Sequence, residues 1–334
     1  MKTVSVLLQT LCVPCACRCR YCLLSWNGSV TGVPWDQSAE YALRFKEWLL
    51  QNRPDLGFQF AFGCSMEHPH LREALRFLRR IGSPQAEYLQ CDGMRLRDGA
   101  ECDALVRMLS EEGVKHLNFT FYGLPEYHDR FAGRRNDFAF ILRLAQSAGQ
   151  AGLTVSAGIP LTRESVPQAD RLIGILTGQA SMQRIFLFVP HEEGRGVLLD
   201  GIRLAADDLC GLSASARSLL NRDLYRTEEE WITGGGFTPE TKRTILISLR
   251  KDDMQRYLGM DPGQVLAEAE ALDDAYYASF PTLPELAERY GDPEGKCFYR
   301  QRDLFYHYRR LYAEENRLSV YDVTDERQTG SRRY

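Results

Sequence analysis

The chain has 334 residues, 44% of them hydrophobic, enough to bury one large core or one core with a smaller appended domain. Lys and Arg total 41 against 45 Asp and Glu, so the net charge of -4 offers no broad electrostatic footprint for nucleic acid. No apolar stretch approaches the length needed to span a bilayer, and Met1 and Lys2 lead into the first apolar run without a signal-like region, which reads as a cytoplasmic protein with reduced thiols and no membrane partner.

Short β-branched and aromatic runs alternate with longer amphipathic segments up to about residue 190. The runs at residues 4–9, 57–62, 87–91, 116–121, 153–159 and 184–189 predict six strands. Between the first two, Tyr41, Ala42, Phe45, Trp48 and Leu49 recur at helical spacing before a break at Pro54. Leu71, Ala74, Leu75 and Leu78 repeat that spacing, and Asn136 is expected to cap a helix carrying Phe138, Ile141, Leu142 and Ala145 on one face. Such alternation implies an α/β chain with a parallel sheet and right-handed crossovers, and places function at the carboxyl ends of the strands. Six repeats are too few for a closed eight-fold barrel. After Pro190 the pattern is mostly helical, with helices expected at 204–220, 265–277, 283–290 and 302–312 and a strand at 243–249. Phe298, Tyr299, Phe305, Tyr306, Tyr308 and Tyr312 read as a packed core in this part. From Tyr321 onward Asp, Arg, Gly and Ser dominate, the composition of a disordered tail.

Five of the ten cysteines fall between Cys12 and Cys22, which points to a metal site rather than to scattered core thiols. Cys12, Cys15, Cys19 and Cys22 form two CxxC pairs, but only three residues separate the pairs, fewer than a four-thiolate zinc site ordinarily has. A redox CxxC would open a helix in a thioredoxin-like unit, which this context does not supply. Cys15, Cys19 and Cys22 also stand as CxxxCxxC, with Tyr21 before the last cysteine. Three thiolates so spaced can hold three irons of a cubane and leave the fourth iron open for chemistry. Cys17, Cys91, Cys102 and Cys210 are then spare thiols, as is Cys12.

That loop, after a first strand, resembles the cluster loop of the radical S-adenosylmethionine (radical SAM) enzymes. The resemblance spans about residues 1–200 and implies a partial (β/α)6 barrel, followed by a mostly helical extension over 201–320 and a tail over 321–334. It implies a [4Fe-4S] cluster on Cys15, Cys19 and Cys22, and S-adenosylmethionine as the second cofactor. The activity implied is reductive cleavage to a 5'-deoxyadenosyl radical, which abstracts a hydrogen atom from a substrate. An electron donor such as a flavodoxin or ferredoxin is the implied partner. The substrate expected is a ribosomally made peptide, with a small metabolite or nucleoside as the alternative. A non-catalytic metal-binding interaction protein is the competing reading of the cysteines.

The resemblance also assigns cofactor contacts. Tyr21 would meet the adenine through its backbone. Gly63, Ser65 and Glu67, in Phe62-Gly63-Cys64-Ser65-Met66-Glu67-His68-Pro69, stand where the family has a glycine-rich turn and an acid for the methionine amino group. The family acid aligns with Cys64 or Ser65, which makes Glu67 a displaced substitute or a solvated acid at a helix start. Thr120, in Thr120-Phe121-Tyr122-Gly123, would lie near the ribose and carboxylate, while His128 and Asp129 are expected to organise the following loop. Arg163 would meet the methionine carboxylate or remain a surface arginine. Val189 would form an apolar wall and Gly194 a tight backbone over the adenine.

Overall fold

The computed structural model describes residues 1–11, 15–22, 33–63, 65–180, 182–192, 194–234, 236–239 and 241–318. The expected tail and Cys12 lie outside these residues. Six parallel strands arise where the β-branched runs stand: β1 (Lys2–Leu11), β2 (Gly57–Gly63), β3 (Tyr88–Gln90), β4 (His116–Thr120), β5 (Thr154–Pro160) and β6 (Arg184–Phe188). The helices between them are α1 (Trp35–Asn52), α2 (Leu71–Arg80), α3 (Gly99–Glu111), α4 (Pro125–Ala132), α5 (Asp137–Gln150) and α6 (Val166–Ala180). The strands pair in the order β3-β4-β5-β6 in one parallel sheet and β2-β1 in another, so their carboxyl ends share one side.

The last third completes the second sheet. After the short helix α7 (Ala214–Arg217), strand β7 (Arg226–Thr227) and helix α8 (Glu228–Thr233), strand β8 (Lys242–Ser248) runs parallel to β1 on the edge opposite β2. Its Ile245 and Ile247 enter the same core as Val6, Leu8 and Phe60. The segment beyond residue 200 therefore contributes a strand to the barrel as well as helices. Those helices are α9 (Lys251–Gly259), α10 (Pro262–Ala278), α11 (Leu283–Tyr290) and, after β9 (Phe298–Tyr299), α12 (Gln301–Asn316). Tyr299, Phe305 and Tyr308 pack there with Trp231, Leu283 and Leu286 in a second core.

Two local expectations are corrected. Residues 204–220 do not form one helix: 3-10 turns end at Gly211, and Ser213 starts the separate helix α7 by accepting from the Ala216 amide at 3.2 Å. Gly211 interrupts the propensity, and Ser213 is a better cap than an interior helical residue. Asn136 precedes α5 in a left-handed conformation but makes no side-chain cap. Asp129 caps instead, accepting from the amides of Asn136 at 2.5 Å and Phe138 at 2.9 Å, the loop-organising part expected of it.

Period-two alternation divides the four-stranded sheet β3-β4-β5-β6 into two unlike faces. Leu89, Leu117, Phe119, Val155, Ala157 and Leu187 are buried against the helices. The opposite face carries Tyr88, Gln90, His116, Asn118, Thr120, Ser156 and Phe186, set side by side by the register Gln90 to Asn118 to Ser156 and Thr120 to Gly158 to Phe186. Tyr88 on β3 and Phe186 on β6 are 42% and 41% exposed, whereas Asn118, Thr120 and Ser156 on the strands between them are buried, so the face that lines the lumen is open at its two margins and closed at its centre.

Candidate functional site

The cysteine loop follows β1 and is fastened by backbone bonds to three other parts of the rim. The Ala16 amide donates to the Gly93 carbonyl at 2.8 Å, just beyond β3. Amides of Arg18 and Arg20 donate to the carbonyls of Ala132 (2.7 Å) and Phe131 (3.0 Å) at the end of α4. The Arg195 amide, beyond β6, donates to the Cys22 carbonyl at 3.2 Å, while the Cys22 amide closes a turn onto the Cys19 carbonyl at 3.3 Å. A loop held at so many points presents its thiols in a fixed arrangement.

Cys15, Cys19 and Cys22 are each half-buried. The Cys15 thiol sits over Gly93, where a Cβ would lie 2.3 Å from its sulfur and where φ is +68°. Only glycine satisfies both demands, so Gly93 is a cradle for that sulfur. The Tyr122 hydroxyl lies 3.1 Å from the Cys19 sulfur and donates to it. Cys17 differs: its thiol is buried and lies 3.8 Å from Asp137 Oδ2. Its contacts with Cys15 and Cys19, then burial, push its pKa far up, so it stays protonated. The loop thus carries three half-buried thiols, at Cys15, Cys19 and Cys22, and one buried thiol, at Cys17.

Tyr21 packs its ring against Tyr122 and Phe131, each with centroids 5.8 Å away. His128 supports this wall from behind: Nδ1 accepts from the Tyr122 amide at 3.1 Å, and Nε2 faces Asp137 Oδ2 at 3.2 Å. Burial raises the Asp137 pKa, but His128 and Arg134 outweigh it and leave the carboxyl below its ordinary value.

The other expected contacts fall in unlike places. Gly63 ends β2 opposite Leu11, and Ser65 opens the 3-10 turn Ser65–Glu67. Cys64 lies outside the described residues. The Glu67 carboxylate accepts from Arg97 Nη1 at 2.5 Å and from the Arg95 amide at 3.0 Å, so it is neither solvated nor open. Thr120 ends β4, with its hydroxyl donating to Asp92 Oδ2 at 3.0 Å. The Arg163 side chain is 55% exposed and its Nε lies 3.6 Å from Asp208 Oδ2, the surface alternative. Val189 is 1% exposed and belongs to the core behind the sheet; one residue of parity puts Phe188 and Phe186 on the lumen side instead. Gly194 opens the 3-10 segment Gly194–Ile202, in which a Cβ at Gly196 would meet the His191 carbonyl. That segment is braced by Glu192, which pairs with Arg203, His307 and Arg310. Glu192, Asp200 and His307 converge as metal ligands do, but the two arginines already neutralise the acids.

Sequence reading missed Asp92. This carboxylate follows β3 and ends a directed chain of hydrogen bonds along the lumen face. Ser156 Oγ, 2.6 Å from His116 Nε2, donates to Asn118 Oδ1 at 2.6 Å. Asn118 Nδ2 donates to Gln90 Oε1 at 2.5 Å, and Gln90 Nε2 to Asp92 Oδ2 at 2.6 Å. The Thr120 amide adds a third donor at 3.3 Å. Burial pushes the Asp92 pKa up to about 6 despite the Gln90 and Thr120 donors, because all of them are neutral. The available signal was the Asp92-Gly93 pair directly after a strand, a turn at the functional end of the sheet.

No protein-family model matches the sequence, and no curated protein matches it. Among solved structures, Streptococcus suis SuiB bound to S-adenosylmethionine aligns over 73% of this chain and 59% of its own, at 14% identity and a TM-score of 0.49. Native anSMEcpe with bound AdoMet and Cp18Cys peptide aligns over 95% of this chain and 100% of its own, at 14% identity and a TM-score of 0.49. Coproporphyrinogen III oxidase (HemN) from Escherichia coli, described as a radical SAM enzyme, aligns over 74% and 63%, at 14% identity and a TM-score of 0.40. The chain thus spans less than two thirds of the length of SuiB and HemN. These are likenesses of overall outline and carry no information about individual residues. No helix among the described residues is long and apolar enough to cross a membrane.

Proposed function

We propose that the protein is a radical SAM enzyme that holds a [4Fe-4S] cluster on Cys15, Cys19 and Cys22 and functionalises a carbon-hydrogen bond of its substrate. The observation that carries this reading is the fastened cysteine loop at the carboxyl end of β1, facing the lumen within a parallel (β/α)6 half-barrel. A [4Fe-4S] cluster held by Cys15, Cys19 and Cys22 and reduced by an external electron donor would supply the one electron for reductive sulfur-carbon cleavage of S-adenosylmethionine into methionine and a 5'-deoxyadenosyl radical, the species that would take a hydrogen atom from substrate.

The protein's own residues position and exclude. Gly93 leaves room for the Cys15 sulfur, and Tyr122 donates its hydroxyl proton to a hydrogen bond with the Cys19 sulfur. Tyr21, Phe131 and Tyr122 form an apolar wall that keeps water from one side of the loop. Tyr21, Gly63, Ser65, Thr120 and Gly194 belong to the rim and are proposed to line the S-adenosylmethionine site. Glu67, Arg163 and Val189 are engaged by Arg97, by Asp208 and by the core instead. The substrate enters the lumen, where the exposed Gln90 offers its amide and Phe186 and Phe188 an apolar surface. A ribosomally made peptide suits this long, laterally open face; a small metabolite or nucleoside would use only part of it.

The test is anaerobic reconstitution with iron and sulfide, reduction, and measurement of 5'-deoxyadenosine formed from S-adenosylmethionine. Product that disappears on replacement of Cys15, Cys19 and Cys22 supports the assignment. One tightly bound zinc ion, with neither iron nor sulfide, would overturn it in favour of a structural metal site.

A further inference from the structure

We infer that the Tyr122 hydroxyl, by hydrogen bonding to the Cys19 sulfur, sets how readily the cluster takes up its electron. This rests on the radical SAM reading and adds a positioning residue to it. The step concerned is transfer of one electron from an external donor, such as a flavodoxin or ferredoxin, to the oxidised cluster, and Tyr122 keeps its proton throughout. The reduced cluster carries one more negative charge, shared with its thiolates. A donor aimed at a thiolate therefore favours the reduced state over the oxidised one, and removing that donor lowers the reduction potential.

The hydroxyl is held in place from three sides. It lies 3.1 Å from the Cys19 sulfur, on a side chain only 5% exposed, so little water competes for the bond. The ring stacks on Phe131 with centroids 4.7 Å apart and meets the edge of Tyr21 at 5.8 Å. Behind it, the Tyr122 amide donates to His128 Nδ1 at 3.1 Å, which leaves Nε2 as the protonated nitrogen, facing Asp137 Oδ2 at 3.2 Å. Arg134 pairs with the same carboxylate, so the support ends on a fixed charge. This bond differs in kind from the backbone donor nearby. The Cys17 amide lies 3.4 Å from the Cys15 sulfur, a longer contact that any residue other than proline would supply at that position. The Tyr122 bond depends on one side chain, and phenylalanine there removes the oxygen while keeping the ring and its packing. Tyr127 provides the matching control. It belongs to the same aromatic cluster and is 7% exposed, but its hydroxyl faces Thr162 Oγ1 at 3.2 Å and donates to Glu164 at 3.3 Å, away from the cysteine ligands.

The experiment reconstitutes wild type, Tyr122→Phe and Tyr127→Phe with iron and sulfide in the absence of oxygen. Each cluster is then titrated with redox dyes without S-adenosylmethionine, the reduced form being read by its electron paramagnetic resonance signal. Tyr122→Phe should shift the one-electron equilibrium toward the oxidised cluster by about two- to tenfold, a midpoint about 20–60 mV lower at about 59 mV per tenfold. Tyr127→Phe should shift it by less than about twofold. The midpoint belongs to each cluster and not to the fraction of protein loaded, so partial assembly leaves it readable. A shift in Tyr122→Phe below about twofold, or an equal shift in Tyr127→Phe, overturns the inference. So does a Tyr122→Phe protein that assembles no cluster, because the hydroxyl would then build the site instead of tuning it. Wild-type protein that assembles no cluster overturns the enzyme reading itself, a result distinct from a cluster whose potential ignores Tyr122.

Discussion

Replacing Gly93 by alanine tests the placement of the cluster loop through two separable costs. The residue has φ of +68°, a left-handed conformation that costs an L-residue about 1–2 kcal/mol. The added Cβ would lie 2.3 Å from the Cys15 sulfur, whereas unstrained contacts fall at about 3.5–4.0 Å. The sulfur must then retreat by roughly 1 Å, several times the tolerance of about 0.2 Å that metal-ligand distances allow. Gly82 provides the control, because it shares φ of +68° but has nothing within 4 Å of its Cβ position. Gly82→Ala should lower stability by about 1–2 kcal/mol in urea unfolding and leave iron and sulfide content at the wild-type level. Gly93→Ala should lose at least as much stability and retain half or less of the iron. Equal iron in the two variants would refute the position assigned to Cys15, since Gly82 has no sulfur to displace.

Cys19→Ala should abolish cluster formation while Cys17→Ala leaves it largely intact, read from iron, sulfide and the visible absorption of the reconstituted protein; equal loss would mean the wrong three thiols were chosen. Leu8→Ala should cost about 2–5 kcal/mol, because Leu8 is 0% exposed between the sheet and its helices, and a shift in urea midpoint below 1 kcal/mol would contradict that packing. Asp303, 1% exposed, accepts from Arg300 at 2.6 and 2.8 Å; burial raises its pKa, but Arg300 and His191 outweigh it and hold it well below the ordinary carboxylate range. Its contribution to stability is therefore full above pH of about 4 and is lost as the pH falls below that value. Asp303→Asn should cost about 2–4 kcal/mol at pH 7 and flatten the acid limb of the stability profile; an unchanged limb would show that Asp303 is not the titrating group.

Much of the fold was legible because hydrophobic period and chain breaks are local properties. The six β-branched runs became six parallel strands, and the spacing of Cys15, Cys19 and Cys22 after the first of them marked the loop without any tertiary information. Which face of a strand points into the lumen was less secure at a strand end, where one residue of parity separates Val189 in the core from Phe188 at the lumen. Pairing between distant segments was not legible at all. Nothing local to residues 242–248 says that they lie beside β1, and nothing local to Glu67 says that Arg97 will occupy it.

The sequence by itself determined the alternation of strand and helix, the three-cysteine spacing and the absence of a long apolar span, because each is written in neighbouring residues. Only the tertiary structure decided which carboxylates keep their charge available. That property depends on the cation or neutral donor that a different strand brings within about 3 Å, as Gln90 and Thr120 do for Asp92 and Arg97 does for Glu67.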